Sequence, residues 1–404
     1  MTDAALPRVA APSDLPAATD RRRTALIELA LAVGGFAIGT GEFATMGFLP
    51  DLARTLGVSE PTAGHAISAY ALGVVVGSPI ISVLAAKLHR RTLLIGLMGV
   101  FALGNLLSAL APGYHALLGL RFLTGMPHGA YFGVASLVAA SLAPAGGRAR
   151  AVGRVMMGLT IATVVGTPLV TLLGQSLGWR LAFAGVGGVG LLTVLLVALF
   201  VPASSATASS PLVELGALRR PQVWLTLGVA AVGSGGVFAI YTYVSSTLTQ
   251  VAGLPLALVP AALVLFGLGM TAGNVVGSKL ADRALMPAIA GVLAWDAAVG
   301  ALYACAAHNP WTAAGALFLV GCGFAILPGL QTRLMDVAAD AQTLAAALNH
   351  SAFNVANALG AWLGGVTVAA GYGWTSTGWV AAALPALGLA VFGISAALER
   401  RSKA

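Results

Sequence analysis

About twelve runs of roughly 20 apolar residues follow one another along this 404-residue chain, separated by short polar joints. A run of that length crosses the hydrocarbon core of a bilayer as one helix. Helices also satisfy their own backbone hydrogen bonds where no water is available. The runs lie near 25–50, 63–86, 92–111, 115–142, 153–175, 181–201, 222–246, 256–280, 286–306, 310–331, 343–370 and 376–397. Only 8% of the residues are charged, against about 25% in soluble domains. The expected fold class is therefore an all-α integral membrane protein of twelve transmembrane helices.

Charge placement agrees with that count. With a cytoplasmic N-terminus, 18 of the 21 Lys and Arg residues fall on the cytoplasmic side, Arg54 and Arg180 fall on the other, and Arg121 lies inside the fourth span. Cytoplasmic loops collect such residues, so both termini are expected in the cytoplasm and the protein in a bacterial cytoplasmic membrane. Topology accounts for the net charge of +8, and no nucleic-acid partner is inferred from it. The first 24 residues lack the apolar stretch of a signal peptide. Cys305 and Cys322 both sit in apolar context, which suits packing better than a disulfide or metal site.

The chain divides into two six-helix parallel repeats. The boundaries read as a tail at 1–24, a first bundle at 25–201, a cytoplasmic linker at 202–221, a second bundle at 222–397 and a tail at 398–404. Ser82-Val-Leu-Ala-Ala-Lys87 and Ser278-Lys-Leu-Ala-Asp-Arg283 each end a second helix, 196 residues apart. Gly178-Trp179 and Gly373-Trp374 follow the fifth and eleventh spans, 195 apart. Parallel repeats of this kind place a substrate near the midplane between the halves.

Within the first span, nothing between Leu31 and Pro50 ionises except Glu42. An anion at that depth costs a few kcal/mol, which makes it a candidate functional site with a proton as cargo. Counting ~1.5 Å per residue, Glu42 and Arg121 lie about 12 Å and about 9 Å from the outer ends of their helices. At matched depth each lowers the other's cost, and protonating Glu42 weakens the pair. A static ion pair locking the two helices is the alternative. His128, two turns beyond Arg121, is a candidate relay or substrate contact, or a histidine satisfied by a backbone carbonyl. Asp296 lies near mid-membrane in the ninth span. Glu28, at the cytoplasmic end of the first span, reaches interfacial water. In the eleventh span His350, Asn354 and Asn357 form one polar stripe beside Asn349. The stripe suits helix bonding or cavity lining. Phe43, Tyr131, Tyr241 and Tyr243 suit an amphipathic organic substrate, or serve as interfacial anchors.

Several motifs together resemble the major facilitator superfamily, and most closely the bacterial twelve-helix drug/proton antiporters and arabinose-efflux-permease-like exporters. They are Gly41-Glu42-Phe43 with Met46-Gly47-Phe48-Leu49-Pro50-Asp51; Arg121-Phe122 with Gly125 and Pro127-His128-Gly129; Gly166-Thr167-Pro168 with Gly178-Trp179-Arg180; and Asn354-Val-Ala-Asn357-Ala-Leu-Gly360. The resemblance spans essentially the whole chain. It implies that Arg121 serves proton transfer and, because the ninth helix is peripheral in the resembled fold, that Asp296 is paired structurally more than part of the pathway. The fifth span, with Gly158, Gly166, Pro168 and Gly174, resembles the family's antiporter motif Gly-x-x-x-Gly-Pro-x-x-Gly-Gly, with Thr167 inserted and Thr171-Leu172 in place of the glycine pair. Lys87, Arg90 and Arg91 resemble the cytoplasmic gating motif, but Ala86 replaces its acid. Asp282-Arg283 keep that acid in the second half.

No His-Glu-x-x-His motif, catalytic carboxylate pair or phosphate-binding Gly-rich loop with Lys-Ser/Thr is present. An enzyme, an ATP-driven pump and a channel are disfavoured, and no cofactor or metal is expected. The expectation is a monomeric, proton-coupled exporter of a small organic molecule working by alternating access. A sugar or nucleoside-like metabolite transporter without multidrug activity is the alternative, and a non-transporting sensor a remote one.

Overall fold

The computed structural model describes residues 18–84, 88–142, 148–202, 216–338 and 342–403. Among these the chain is helical and without strands. The first half contains α1 (Ala18–Gly47), α2 (Glu60–Leu84), α3 (Arg90–Ala109), α4 (Tyr114–Gly125 continued by His128–Leu142), α5 (Arg148–Ile161, Ala162–Gly166, Thr167–Leu177) and α6 (Trp179–Phe200). The second contains α7 (Pro221–Gly233, Gly235–Thr242), α8 (Val259–Arg283), α9 (Leu285–Ala306), α10 (Pro310–Cys322, Gly323–Ala325, Ile326–Ala338), α11 (Gln342–Thr367) and α12 (Ser376–Lys403). Eleven of these are long and apolar enough to cross a bilayer. The remaining crossing, α4, is interrupted at Met126–Pro127, because a proline has no N–H to continue the ladder.

Local chemistry explains the other boundaries. Asn309 caps α10 through its side-chain oxygen, which accepts from the Trp311 and Thr312 amides, and Pro310 supplies a preset φ in the first turn. In α5 a π-helical segment, Ala162–Gly166, precedes Pro168. α5 ends at Gly178, and the π-helical segment Val368–Tyr372 that continues α11 ends at Gly373, both glycines with positive φ, 93° and 77°, a conformation glycine adopts without penalty. The repeat seen in the sequence is thus also a repeat of backbone.

Packing repeats as well. α2 lies on α4, α3 on α6 and α1 on α5, and the second half pairs α8 with α10, α9 with α12 and α7 with α11. Gly73, Gly77 and Gly125 bring α2 and α4 together at Phe122, Met126 and Tyr70, leaving no room for a Cβ. Each contact recurs 196 residues later, as Gly269 on Phe318, Gly273 on Cys322 and Gly321 on Phe266. Without a hydrophobic drive between helices in lipid, such small-residue approach lets the backbones pack. The outer surface carries large apolar side chains facing outward, Leu169 and Leu199 among them. That surface suits lipid, and the chain is a multi-pass membrane protein.

Between the halves, α2 runs along α11 and α8 meets α5. The end of the bundle opposite the termini, the far end of the molecule, is where α1 finishes and α2 begins.

Candidate functional site

α1 carries Glu42 into the seam between the halves, where the residue is 7% exposed. The Asn357 side-chain amide of α11 donates to Glu42 Oε1 at 3.3 Å, joining one half to the other. Arg121, fully buried on α4, donates from Nη2 to the Gly41 carbonyl at 3.0 Å. It does not form an ion pair with Glu42, its neighbour along α1 from that carbonyl, among the described residues. The direct pairing open at the sequence level is therefore absent in this conformation. Arg121 Nε and Nη1 are buried without partners, each an unsatisfied donor costing about 1–3 kcal/mol. Its guanidinium lies 4.4 Å from the centroid of the Tyr70 ring and 5.2 Å from that of Phe183, a desolvated cation–π cradle that returns roughly 2 kcal/mol.

Tyr70 links this group to His128. Its hydroxyl lies 3.1 Å from His128 Nδ1, so Arg121 and His128 share one face of α4 through a residue of α2. His128 also packs against Phe132, with centroids 5.3 Å apart, and Phe132 stacks on His350 of α11 at 5.7 Å with planes 6° apart. Glu42, Arg121, Tyr70 and His128 thus form one buried constellation, flanked by Asn357 and His350. On α11 His350 and Asn357 meet the first half, at Phe132 and Glu42, while Asn349 turns away and donates to Gln331 of α10.

On the second half's side of the seam, Tyr241 stacks on Phe266 with centroids 3.9 Å apart and meets Phe43 of α1 edge-on at 5.8 Å. Phe324 closes against Phe266 and Phe238. The Tyr241 hydroxyl has no partner, nor do Asn354 Oδ1 and Asn357 Oδ1. Asn354 donates only to the His350 carbonyl of its own helix.

Beyond Glu42, the far end is tied shut. Glu60 at the start of α2 accepts from the Ser246 hydroxyl and, at 3.0 Å, from Gln250 Nε2, both just past α7. Gln250 Oε1 accepts in turn from Trp374 Nε1 at 2.9 Å. Ser68 of α2 donates to the Ala358 carbonyl of α11 at 3.4 Å. Counting ~1.5 Å per residue from the far end, Glu42, Ser68 and Ala358 lie within about 14 Å of it.

Several sequence expectations change. Tyr131 does not face the seam. Its hydroxyl donates to the Leu31 carbonyl at 2.8 Å and its ring fills the slot left by Gly34 inside the first half. Tyr243 is engaged too, donating to the Ala361 carbonyl at 2.9 Å beside Gly64 and Gly365 at the far end. Arg91 donates to the Ala198 carbonyl of α6, within the first half. Arg90 forms no ion pair among the described residues, and Asp282 and Arg283 are exposed and equally unpaired. Among the described residues Asp282 and Arg283 join no latch, and Lys87 lies outside the described residues. Asp296, expected to be paired, has no hydrogen-bond partner for Oδ2. Glu28 makes a bidentate ion pair with Arg154 of α5, 2.6 Å at each contact. Gly166 does pack on α1, at Phe36 and Thr40, with Gly158 and Gly174 above and below it. Pro168 follows the π-helical segment that adjusts that contact.

Sequence patterns alone did not single out Tyr70 or the Glu60 tie. Tyr70 is the one phenol or phenyl ring in α2, a signal that would have marked it. Glu60 sits at a polar helix start, where a carboxylate is expected anyway.

The family model for the Major Facilitator Superfamily matches residues 31–349. Among curated proteins, the chain is 42% identical over 91% of its length to "Inner membrane transport protein YdhP" of Escherichia coli strain K12, covering 93% of that protein. It is 36% identical over 89% of its length to a "Chloramphenicol resistance protein" of Streptomyces lividans, covering 94% of it. Among solved structures, a bacterial homolog to the human lysosomal transporter Spinster, in an inward-facing and occupied conformation, superposes with a TM-score of 0.73 at 16% identity. That superposition covers 92% of this chain and 96% of the other, and it speaks to the fold.

Proposed function

Because the chain belongs to the major facilitator superfamily, we propose that it exports small organic molecules in exchange for protons by alternating access. The observation that carries this reading is the pair of neighbours at the seam: Glu42 bonded across to Asn357 while the Arg121 beside it has two buried nitrogens unpartnered. When Glu42 gives up its proton, the nearest compensation for its charge is Arg121 in its own half. Swinging to that partner releases Asn357 and loosens the seam. When Glu42 takes up a proton, the attraction of Arg121 weakens and the bond across the seam is restored. One carboxyl thus exchanges an intra-half partner for an inter-half one, and the protonation state biases which end is open. One proton moving inward down ~100 mV supplies about 2.3 kcal/mol for this cycle. Tyr70 and His128 hold Arg121 and lead away from it.

With the N-terminus in the cytoplasm, as the Lys and Arg distribution favours, the far end is outside and this conformation is closed to the exterior. The wall of Tyr241, Phe266, Phe324 and Phe43 suits the flat apolar part of a substrate. The name of the Streptomyces lividans relative supports a drug-like compound. A hydroxylated metabolite is the second reading, favoured by the unpartnered side-chain oxygens of Asn354 and Asn357.

The test is uptake by everted vesicles from overexpressing cells, with phenicol-type compounds, sugars and nucleosides offered in turn. Accumulation of one class that collapses when a protonophore removes the gradient is the expected result. Accumulation unchanged by the protonophore contradicts proton coupling.

A further inference from the structure

α9 is remote from the seam, yet it buries a second carboxyl. Asp296 is 6% exposed, and Oδ2 has no hydrogen-bond partner. Gly323 of α10 lies directly against Oδ1, so that a Cβ there would strike it. Asp296 lines a cavity of about 10 Å³ together with Gly236, Val237 and Ile240 of α7, Val320 of α10 and Ala381 of α12. That volume holds about one water. No second side-chain oxygen lines it, and among the described residues no group of three acidic, His or Cys side chains forms a metal site. A hard cation requires several oxygen ligands, whereas a proton requires one. Of the titratable side chains on α10, Cys322 is next in sequence to Gly323, the residue that lies against Asp296.

From this arrangement we infer that Asp296 and its one-water cavity form a second proton-binding site, housed entirely within the second half. Leaving an anion there without a partner is costly, and a protonated carboxyl bonded to a trapped water removes that cost. The site also has a route to the seam. Gly323, which touches Asp296, begins the tight 3₁₀ turn Gly323–Ala325 in α10, and the next residue, Phe324, packs on Phe266 and Phe238. A charge appearing on Asp296 pushes on the turn that carries the aromatic wall. The second half therefore senses protons independently of Glu42.

The site is tested with dicyclohexylcarbodiimide, an apolar reagent that adds to protonated carboxyls in membranes. The carboxyl proton moves to a carbodiimide nitrogen as the carboxyl oxygen bonds to its central carbon, and acyl migration leaves a stable N-acylurea. Purified full-length protein in lipid nanodiscs is treated at stepped values from about pH 5 to about pH 9, and modification of the Asp296 peptide is quantified by mass spectrometry. The expected result is modification at Asp296 that falls at least about tenfold as the pH rises, the change that one pK unit of titration produces. The Glu42→Gln protein should give the same curve, which separates this site from the coupling assigned to Glu42. Modification absent at every pH, or equal at every pH, overturns the proposal, and so does a curve that disappears in Glu42→Gln.

Discussion

The two halves place different chemistry at matching positions. Tyr70 and His128 meet in the first half with ring centroids 5.9 Å apart. The residues 196 positions later are Phe266 and Phe324, 6.1 Å apart. Arg121 likewise corresponds to Leu317, a fully buried core residue. The backbone repeat is retained down to the glycines that bring α2 to α4 and α8 to α10, yet one copy holds a phenol and an imidazole and the other two phenyl rings. Rocking two halves about a seam requires similar backbones. Coupling that motion to a proton at the seam requires a titratable group on only one side of it, facing a neutral partner, and Asp296 of the second half lies on a helix that does not reach the seam.

The strongest way to break this comparison is to make the first half resemble the second at its charged position. Arg121→Met removes the cation proposed to compensate ionised Glu42, and leaving a buried charge without its partner costs about 3–5 kcal/mol. Gradient-driven transport in proteoliposomes should fall by more than about 100-fold. Activity within about threefold of wild type would mean that Arg121 is structural. Next comes His128→Phe, which copies Phe324 into the first half and leaves the Tyr70 hydroxyl buried without its partner. That costs about 1–3 kcal/mol, and the initial rate should fall by roughly tenfold, the Tyr70→Phe, His128→Phe double variant recovering part of it.

The first half also supplies the one carboxylate of the far-end tie. Glu60→Gln trades charge-assisted hydrogen bonds for neutral ones, a difference of about 1 kcal/mol. Solvent labelling of a near-isosteric Ser68→Cys probe should accelerate by roughly fivefold, since the open population at that end grows. The smallest effect is expected from the neutral partner. Asn357→Ala removes an amide bond worth about 0.6 kcal/mol in membranes, so transport should drop by no more than about threefold.

Much of this molecule is legible in its amino-acid sequence. Runs of ~20 apolar residues place all twelve crossings because the bilayer thickness dictates them. The offset of 195–196 residues marks the repeat because glycines such as Gly178 and Gly373 are fixed by backbone conformation. Glu42 and Arg121 stand out because charges are rare at that depth. Partners are harder to read. Arg121 is held by a backbone carbonyl, and every residue has one of those. Tyr131 turns inward because Gly34 leaves a slot, and an empty slot has no letter in the sequence. Asp282-Arg283 look like half of a latch by motif, but whether two surface charges meet depends on which end of the bundle is closed.

The claim that Glu42 couples the proton to movement of the seam is tested most directly by separating exchange from coupling. In proteoliposomes holding Glu42→Gln, a glutamine cannot release a proton but can still accept from Asn357. Substrate counterflow, which needs only alternating access, should persist within about threefold of wild type, while accumulation against a gradient driven by a pH step should vanish. Accumulation surviving in Glu42→Gln at the wild-type level would contradict the account.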